Sequence, residues 1–188
     1  TVEDGKITAA PEGAKLDYTI YIGGGGSGDH PTFALLTAAK EAFASIGFTL
    51  TINDPADSNE MWNAMNSGTA EMWCAAWGAT PDPDMYQVYH GNNVIGKDGS
   101  SESNKYFIED AELDSIIMEA RTSVDQTYRK GLYKEALDIV LDWAVEVPVY
   151  QRKDAVLTSV ERVNMDTMTK DLTPYWTWLA EIDKIAMN

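Results

Sequence analysis

Three kinds of chemistry could be assembled from the residues that stand out in this sequence. Asp82 and Asp84 lie in a Pro-Asp-Pro-Asp turn and have the composition of a glycosidase acid pair. That reaction needs its carboxylates roughly 5–10 Å apart across a sugar. Two acids separated by a single proline are better suited to shaping the turn and capping the helix after it. His30, His90 and Cys74 could ligate a metal. Each histidine sits beside a turn and Cys74 lies mid-strand, so they do not form the set of three or four ligands that zinc takes. The run Gly23-Gly24-Gly25-Gly26-Ser27-Gly28 joins a strand to a helix, as a phosphate loop does. It lacks the Lys-Ser/Thr of a P-loop, and its spacing does not match G-x-G-x-x-G. Close backbone approach to a ligand, or a flexible turn, fits it better. No serine stands at the strained elbow of a nucleophilic triad. The chain is expected to be no enzyme, with no catalytic residue, no metal and no cofactor.

Binding has a better candidate. The apolar run Met72-Trp73-Cys74-Ala75-Ala76 leads into Trp77, breaks at Gly78 and enters the turn Thr80-Pro81-Asp82-Pro83-Asp84. Strands buried in a parallel sheet read as continuous apolar runs. Ligands of open α/β sheets sit just beyond the carboxyl ends of such strands. Trp77 therefore stands where a binding site belongs, with its ring expected to be exposed. The expected ligand-binding residues are Ala76, Trp77 and Gly78 at the strand end, with Thr80, Asp82 and Tyr86 along the rim.

Several elements must position these residues. Leu16–Ile22 alternates and is β-rich, which predicts a strand. Pro31–Ser45 reads as a helix, with Pro31 at its first position and Phe33, Leu36, Ala39, Phe43 and Ile46 recurring along one face. Gly47 ends it, and Phe48–Asn53 is a second strand. Strand, helix and strand make a βαβ unit, so the two strands should be parallel. Asp57 or Ser58 caps a short helix carrying Met61, Trp62 and Met65. Glu71–Trp77 is the third strand, with Cys74 buried and inert. Pro83–Tyr89 suggests a short helix, and Gly91–Lys105 a long polar loop. Asp110 caps a helix with Leu113, Ile116, Ile117 and Ala120 inward. Asp125 caps the longest helix, to about Val145, with Tyr128, Leu132, Ala136, Ile139, Val140 and Trp143 inward. Val147–Tyr150 and Ala155–Thr158 read as short strands. Beyond Ser159 the pattern is irregular, and it ends in the aromatic cluster Tyr175-Trp176-Thr177-Trp178 and an Ile182, Ile185, Met187 pattern.

Composition narrows the classes. The 188 residues suffice for one or two domains. A net charge of −16 argues against nucleic acid and anionic membrane as partners, because phosphate recognition needs basic clusters. No run of about 18 apolar residues is present, so no transmembrane helix is expected. The single cysteine rules out an internal disulfide. The chain opens on Thr1 with a loose Gly/Pro/Ala lead and no visible signal peptide, which suggests a piece of a longer protein.

Five segments, taken together and in order, resemble the family 5 solute-binding proteins of ABC importers, the peptide and nickel receptors. The opening strand, loop and helix is the first. The others are FASIGFTLTIND (43–54), NAMNSGTAEMWCAAWGATPDPDMY (63–86), SNKYFIEDAELDSIIMEAR (103–121) and RKGLYKEALDIVLDWAVEVPVY (129–150). The match runs from about Leu16 to the end of the chain.

The resemblance implies an α/β fold, the C-terminal lobe of a type II periplasmic-binding-protein architecture, with a mixed, mostly parallel sheet flanked by helices. It divides the chain into a flexible lead (1–15), a ligand-binding lobe (16–150) and a tail (151–188) that returns to an N-terminal lobe missing from this sequence. It implies a receptor that delivers a solute, most readily an oligopeptide, to an ABC permease. It also implies an extracytoplasmic location, periplasmic or lipid-anchored at the cell surface, reached through an N-terminal signal absent from this fragment. In the peptide receptors, backbone at the strand-end tryptophan pairs with the extended peptide; here that maps to Ala76, Trp77 and Gly78. The position of an ammonium-binding Asp in those receptors falls on Thr80, with Asp82 as the nearest substitute. The position of an Arg in some members falls on Cys74. A carbohydrate-binding or surface-adhesion module is the alternative that the aromatic richness and acidity leave open.

Overall fold

The computed structural model describes the whole chain except Ala79, Arg152 and Asp154. Within the lead, β1 (Val2–Glu3) and β2 (Lys6–Ile7) form an antiparallel hairpin. Its turn places Asp4 and Gly5 at positive φ, the requirement of a tight two-residue hairpin loop. The hairpin docks on Gly47, where an added Cβ would fall 2.6 Å from the Ile7 carbonyl oxygen.

The βαβ unit is present as expected. Strand β3 (Asp17–Ile22), helix α1 (Pro31–Ile46) and strand β4 (Thr49–Asn53) follow in order, and β3 pairs in parallel with β4. Pro31 opens α1, but its N-cap is His30, whose Nδ1 accepts from the Thr32 amide at 3.2 Å. Gly47 ends the helix at φ 99°, a left-handed cap that glycine adopts without strain. Helix α2 (Asn59–Asn66) leads to β5 (Met72–Cys74), which pairs in parallel with the other side of β3. The strand order is β4-β3-β5, with β3 central. Ile20, Ile22, Leu36 and Leu50 form the core between sheet and helix, and Cys74 packs, partly buried, against it.

Strand β5 is shorter than the Glu71–Trp77 reading. Its partner β3 ends at Ile22 and turns into the glycine loop, so Ala75 and the residues after it have no ladder to join. Phe43 and Ile46, expected on the inner face, are exposed at the end of α1.

A second core belongs to helices. Tyr86–Tyr89 forms the single turn α3, shorter than the Pro83–Tyr89 reading. Helices α4 (Ala111–Thr122) and α5 (Gln126–Trp143) pack together around Leu113, Ile117, Ala120, Leu132, Ala136 and Val140, with Met85 and Ile108 beneath them. Asp110 accepts from the Glu112 and Leu113 amides, and Asp125 from those of Thr127 and Tyr128, the caps that the sequence predicts. Tyr128 and Trp143 are half-exposed rather than inward. Each uses its polar atom at the edge of the helix pair: the Tyr128 hydroxyl donates to Glu119 of α4, and the Trp143 indole donates to Asp110, the α4 cap, at 3.0 Å. Ala144, in the left-handed region at φ 51°, ends α5. Val147–Tyr150 forms no strand, and Pro148 within it lacks an amide donor. The described residues of Ala155–Thr158 are also outside any strand.

The described tail residues hold two short 3-10 helices, Met165–Thr167 and Trp178–Lys184, and one antiparallel bridge, Val163 to Met187. None of them is buried.

Candidate functional site

Beyond β5 the chain runs on through Ala75, Ala76, Trp77 and Gly78, all exposed and outside any helix or strand. Among the described residues, no backbone hydrogen bond ties this segment to the rest of the fold. It prolongs an edge strand, and an edge strand presents a row of unused N–H and C=O groups. A small cavity opens beside it, lined by Trp62, Met65, Trp73, Ala75, Ala76, Trp77 and Lys105. The Trp62 and Trp77 rings are each nearly half exposed.

The loop that closes this cavity is ordered, although its composition is that of a flexible linker. Two buried asparagines hold it. Asn104 donates from Nδ2 to the carbonyls of His90 and Ile108, and its Oδ1 accepts from the Tyr106 amide. Asn93 donates to the Tyr86 carbonyl and accepts from the Ser101 hydroxyl. These bonds fix Lys105 and Tyr106 beside the strand end. Tyr106 stacks between Trp73, at 5.4 Å, and Tyr89, at 5.7 Å. The Trp77 indole Nε1 donates to the Tyr106 hydroxyl at 3.3 Å, and the Tyr89 hydroxyl donates to Glu146 at 2.6 Å. Burial pushes the Tyr106 phenol up to about 12. Burial, reinforced by the hydrogen bond to Glu146, holds Tyr89 well above the usual phenol range. Trp77 is therefore steadied from beneath by a neutral tyrosine stack.

The other expected site residues lie toward α4 and α5. The Thr80 hydroxyl donates to the Asp82 carbonyl at 2.8 Å. Asp82 binds Arg129, one guanidinium nitrogen reaching both carboxylate oxygens at 2.8 and 2.9 Å. Arg129 also donates to the Ala120 carbonyl, so the pair pins the turn to the helices. Asp84, just ahead of α3, accepts from the Tyr86 amide at 3.0 Å and pairs with Arg121 at 3.1 Å. Tyr86 is partly buried, with the Arg121 guanidinium 4.2 Å from its ring centre and the His90 ring at 4.5 Å. The structure thus brings Ala76, Trp77 and Gly78 together with Trp62, Trp73 and Lys105. It engages Asp82 and Tyr86 with the helical unit instead.

The residues weighed for chemistry are each occupied elsewhere. His30 and His90 cap helical turns. The Cys74 thiol faces the Thr32 hydroxyl at 3.8 Å. The glycine loop wraps the Asp54 carboxylate, which accepts from the Gly28 amide at 3.3 Å; a Cβ at Gly24 would fall 2.7 Å from it. A carboxylate inside that loop repels a phosphate.

No protein-family model matches the sequence, and no curated protein matches it. Solved structures do match. The oligopeptide-binding protein AppA from Bacillus subtilis, in complex with a nonapeptide, aligns at TM-score 0.61 and 15% identity over 76% of this chain and 26% of its own. The ABC transporter-associated periplasmic binding protein DppA from Helicobacter pylori, in complex with the peptide STSA, aligns at 0.56 and 23% identity over 70% and 24%. NikZ from Campylobacter jejuni, in complex with Ni(L-His), aligns at 0.54 and 19% identity over 69% and 25%. The fold is that of the family 5 solute-binding proteins. The chain spans about a quarter of the length of each of these structures.

Proposed function

We propose that this chain is the ligand-binding lobe of the substrate-binding receptor of an ABC importer, a binding protein and not an enzyme, and that its solute is an oligopeptide. The observation that carries the reading is the exposed segment Ala75–Gly78, outside any helix or strand, which follows edge strand β5 beside the half-exposed rings of Trp62 and Trp77. An extended peptide can add to such an edge through main-chain hydrogen bonds, which serve any sequence, while neighbouring pockets take alternate side chains. Ala76, Trp77 and Gly78 supply the strand edge and the wall. Thr80 lies at the rim, and Asp82 and Tyr86 hold the rim in shape through Arg129 and Arg121.

On this reading residues 16–150 are the lobe, and 151–188 return to a second lobe of the same protein that closes over the ligand. The apolar side chains left uncovered on the tail, Leu157, Leu172, Trp176 and Leu179 among them, support that division. The receptor works outside the cytoplasm, delivered by an N-terminal signal and retained in a periplasm or by a lipid anchor, and docks on a membrane permease. No helix among the described residues is long and apolar enough to cross a membrane.

Native mass spectrometry of the complete protein, purified without denaturant, tests the reading. A ladder of peptide masses on the protein is the expected result. A single sugar or a metal chelate in place of peptides would overturn the oligopeptide assignment.

A further inference from the structure

Trp77 stands at one end of a hydrogen-bonded chain whose other end lies where the polypeptide leaves the helical unit. Its indole Nε1 donates to the Tyr106 hydroxyl at 3.3 Å, and the Tyr89 hydroxyl donates to Glu146 at 2.6 Å. Glu146 also acts on the Tyr106 hydroxyl, as a charge and as a hydrogen-bond acceptor. An indole N–H only donates and a carboxylate only accepts. The direction of the chain is therefore fixed: Trp77 gives to Tyr106, and Tyr106 and Tyr89 both give to Glu146. Glu146 comes two residues after the left-handed Ala144 that ends α5. Val145 packs back against the helical core, and Glu146 meets the tyrosines. Beyond it Val147–Tyr150 is exposed, and among the described residues it makes no backbone hydrogen bond. Glu146 is thus the last anchor before the chain leaves.

We propose that Glu146 is a positioning residue for the ligand wall: it holds Trp77 through Tyr106, and it passes occupancy of Trp77 on to residues 146–150, the segment that leaves this lobe. This rests on the peptide reading above and adds to it a route from the ligand to the exit of the chain. The physical reason is the shared carboxylate. A ligand favours one state of a protein only by interacting with it more strongly. Trp77 presents a fixed face when Tyr106 is held by Glu146, and loses that support when the carboxylate lets go. A peptide packed on Trp77 therefore favours the anchored state. It also keeps water from the indole and the Tyr106 hydroxyl, and hydrogen bonds screened from water are electrostatically stronger. Bonds to a charged acceptor are the stronger ones, so one carboxylate suffices to hold both ends. The Tyr89 arm fastens Glu146 to the helical unit with or without ligand, and only the Tyr106 arm responds to it.

Amide hydrogen–deuterium exchange on the complete protein, with and without a saturating concentration of the tripeptide Ala-Ala-Val, tests the route. In the parent protein the peptide should slow exchange across 146–150 by about fivefold, the ratio that one net hydrogen bond supplies. Glu146→Ala removes the shared carboxylate and Tyr106→Phe cuts the chain in its middle, and each should abolish that slowing at saturation. Glu146→Gln, which keeps a carbonyl oxygen for the phenols, should retain most of it. Tyr89→Phe cuts only the arm that ignores the ligand. It should speed exchange at 146–150 in the free protein and leave the response to peptide in place. A response that survives Tyr106→Phe, or a parent protein that binds the peptide with exchange at 146–150 unchanged, overturns the inference and leaves the peptide reading standing. No binding of the peptide overturns both.

Discussion

The helical unit and the tail dispose of their apolar residues in opposite ways. Helices α4 and α5 bury Leu113, Ile116, Ile117, Ala120, Leu132, Tyr133, Ala136 and Val140 against one another, and both start on aspartate caps. Residues 151–188 carry Leu157, Val160, Leu172, Trp176, Leu179 and Ile182, and every one of these is exposed. Both segments hold apolar side chains. What separates them is a partner face: α4 and α5 pair through their own periodic stripes, while the tail has short turns and no stripe long enough to fold on itself. The helical unit completes its own core and can therefore serve as a foundation. Asp82 and Tyr86 are fastened to it by Arg129 and Arg121, and the Tyr89–Tyr106 stack carries that foundation up to Trp77.

The contrast is easiest to break in the core. Leu113→Ala should lower the unfolding free energy by about 2–5 kcal/mol, whereas Leu157→Ala, at a position 97% exposed, should change it by less than about 0.5 kcal/mol. Urea denaturation of both variants measures the difference. A large effect at Leu157 in the isolated chain would mean that the tail has a core of its own.

The caps give the next largest effect. Asp110→Ala should cost about 1 kcal/mol. The hydrogen bond from the Leu113 amide, followed by that from the Trp143 indole, holds the Asp110 carboxyl below its usual 3.8. A carboxyl depressed in the folded state stabilises it fully above the unfolded value, and this is lost as pH falls through the folded value. The urea midpoint of the parent protein should therefore drop below about pH 4 more steeply than that of Asp110→Ala. Parallel pH profiles would remove this cap from the account.

A smaller effect sharpens the link between foundation and cleft. Tyr106→Phe removes the hydroxyl that accepts from Trp77 and should cost about 0.5–1.5 kcal/mol, with a change in tryptophan emission. The raised phenols predict alkaline behaviour too. Stability from Tyr106 is present below the unfolded phenol value of 10 and declines as pH climbs toward about 12. Absorbance titration of the folded protein should show a tyrosine ionising near pH 12 that Tyr106→Phe removes.

Much of this fold was legible because it rests on periodicity. The alternation of 16–22, the three- and four-residue spacing of 31–46 and the caps at Asp110 and Asp125 each point to an element that forms. The apolar run that Gly78 breaks pointed to a strand before Trp77, and β5 forms over its first part. What escaped depends on the path of the chain in space. Nothing in Glu71–Trp77 says that its partner strand stops at Ile22. The loop 91–105 is rich in Gly, Asn and Ser, and only burial distinguishes Asn93 and Asn104 from Asn92 beside them. Lys105 is one lysine in that loop, and its place beside two indoles comes from a tertiary contact with α2. Trp143 and Tyr128 follow the right stripe, but each carries a polar atom that bonds at the edge of the helix pair, to Asp110 and Glu119, and the rings stay half exposed.

Amide hydrogen–deuterium exchange with and without the tripeptide Ala-Ala-Val tests the central claim most directly, because it reads the backbone groups that the site is said to use. The account predicts fast exchange across Ala75–Gly78 in the free protein and marked slowing there when the peptide is bound. Peptide binding that leaves exchange at Ala75–Gly78 unchanged while slowing it elsewhere would contradict it.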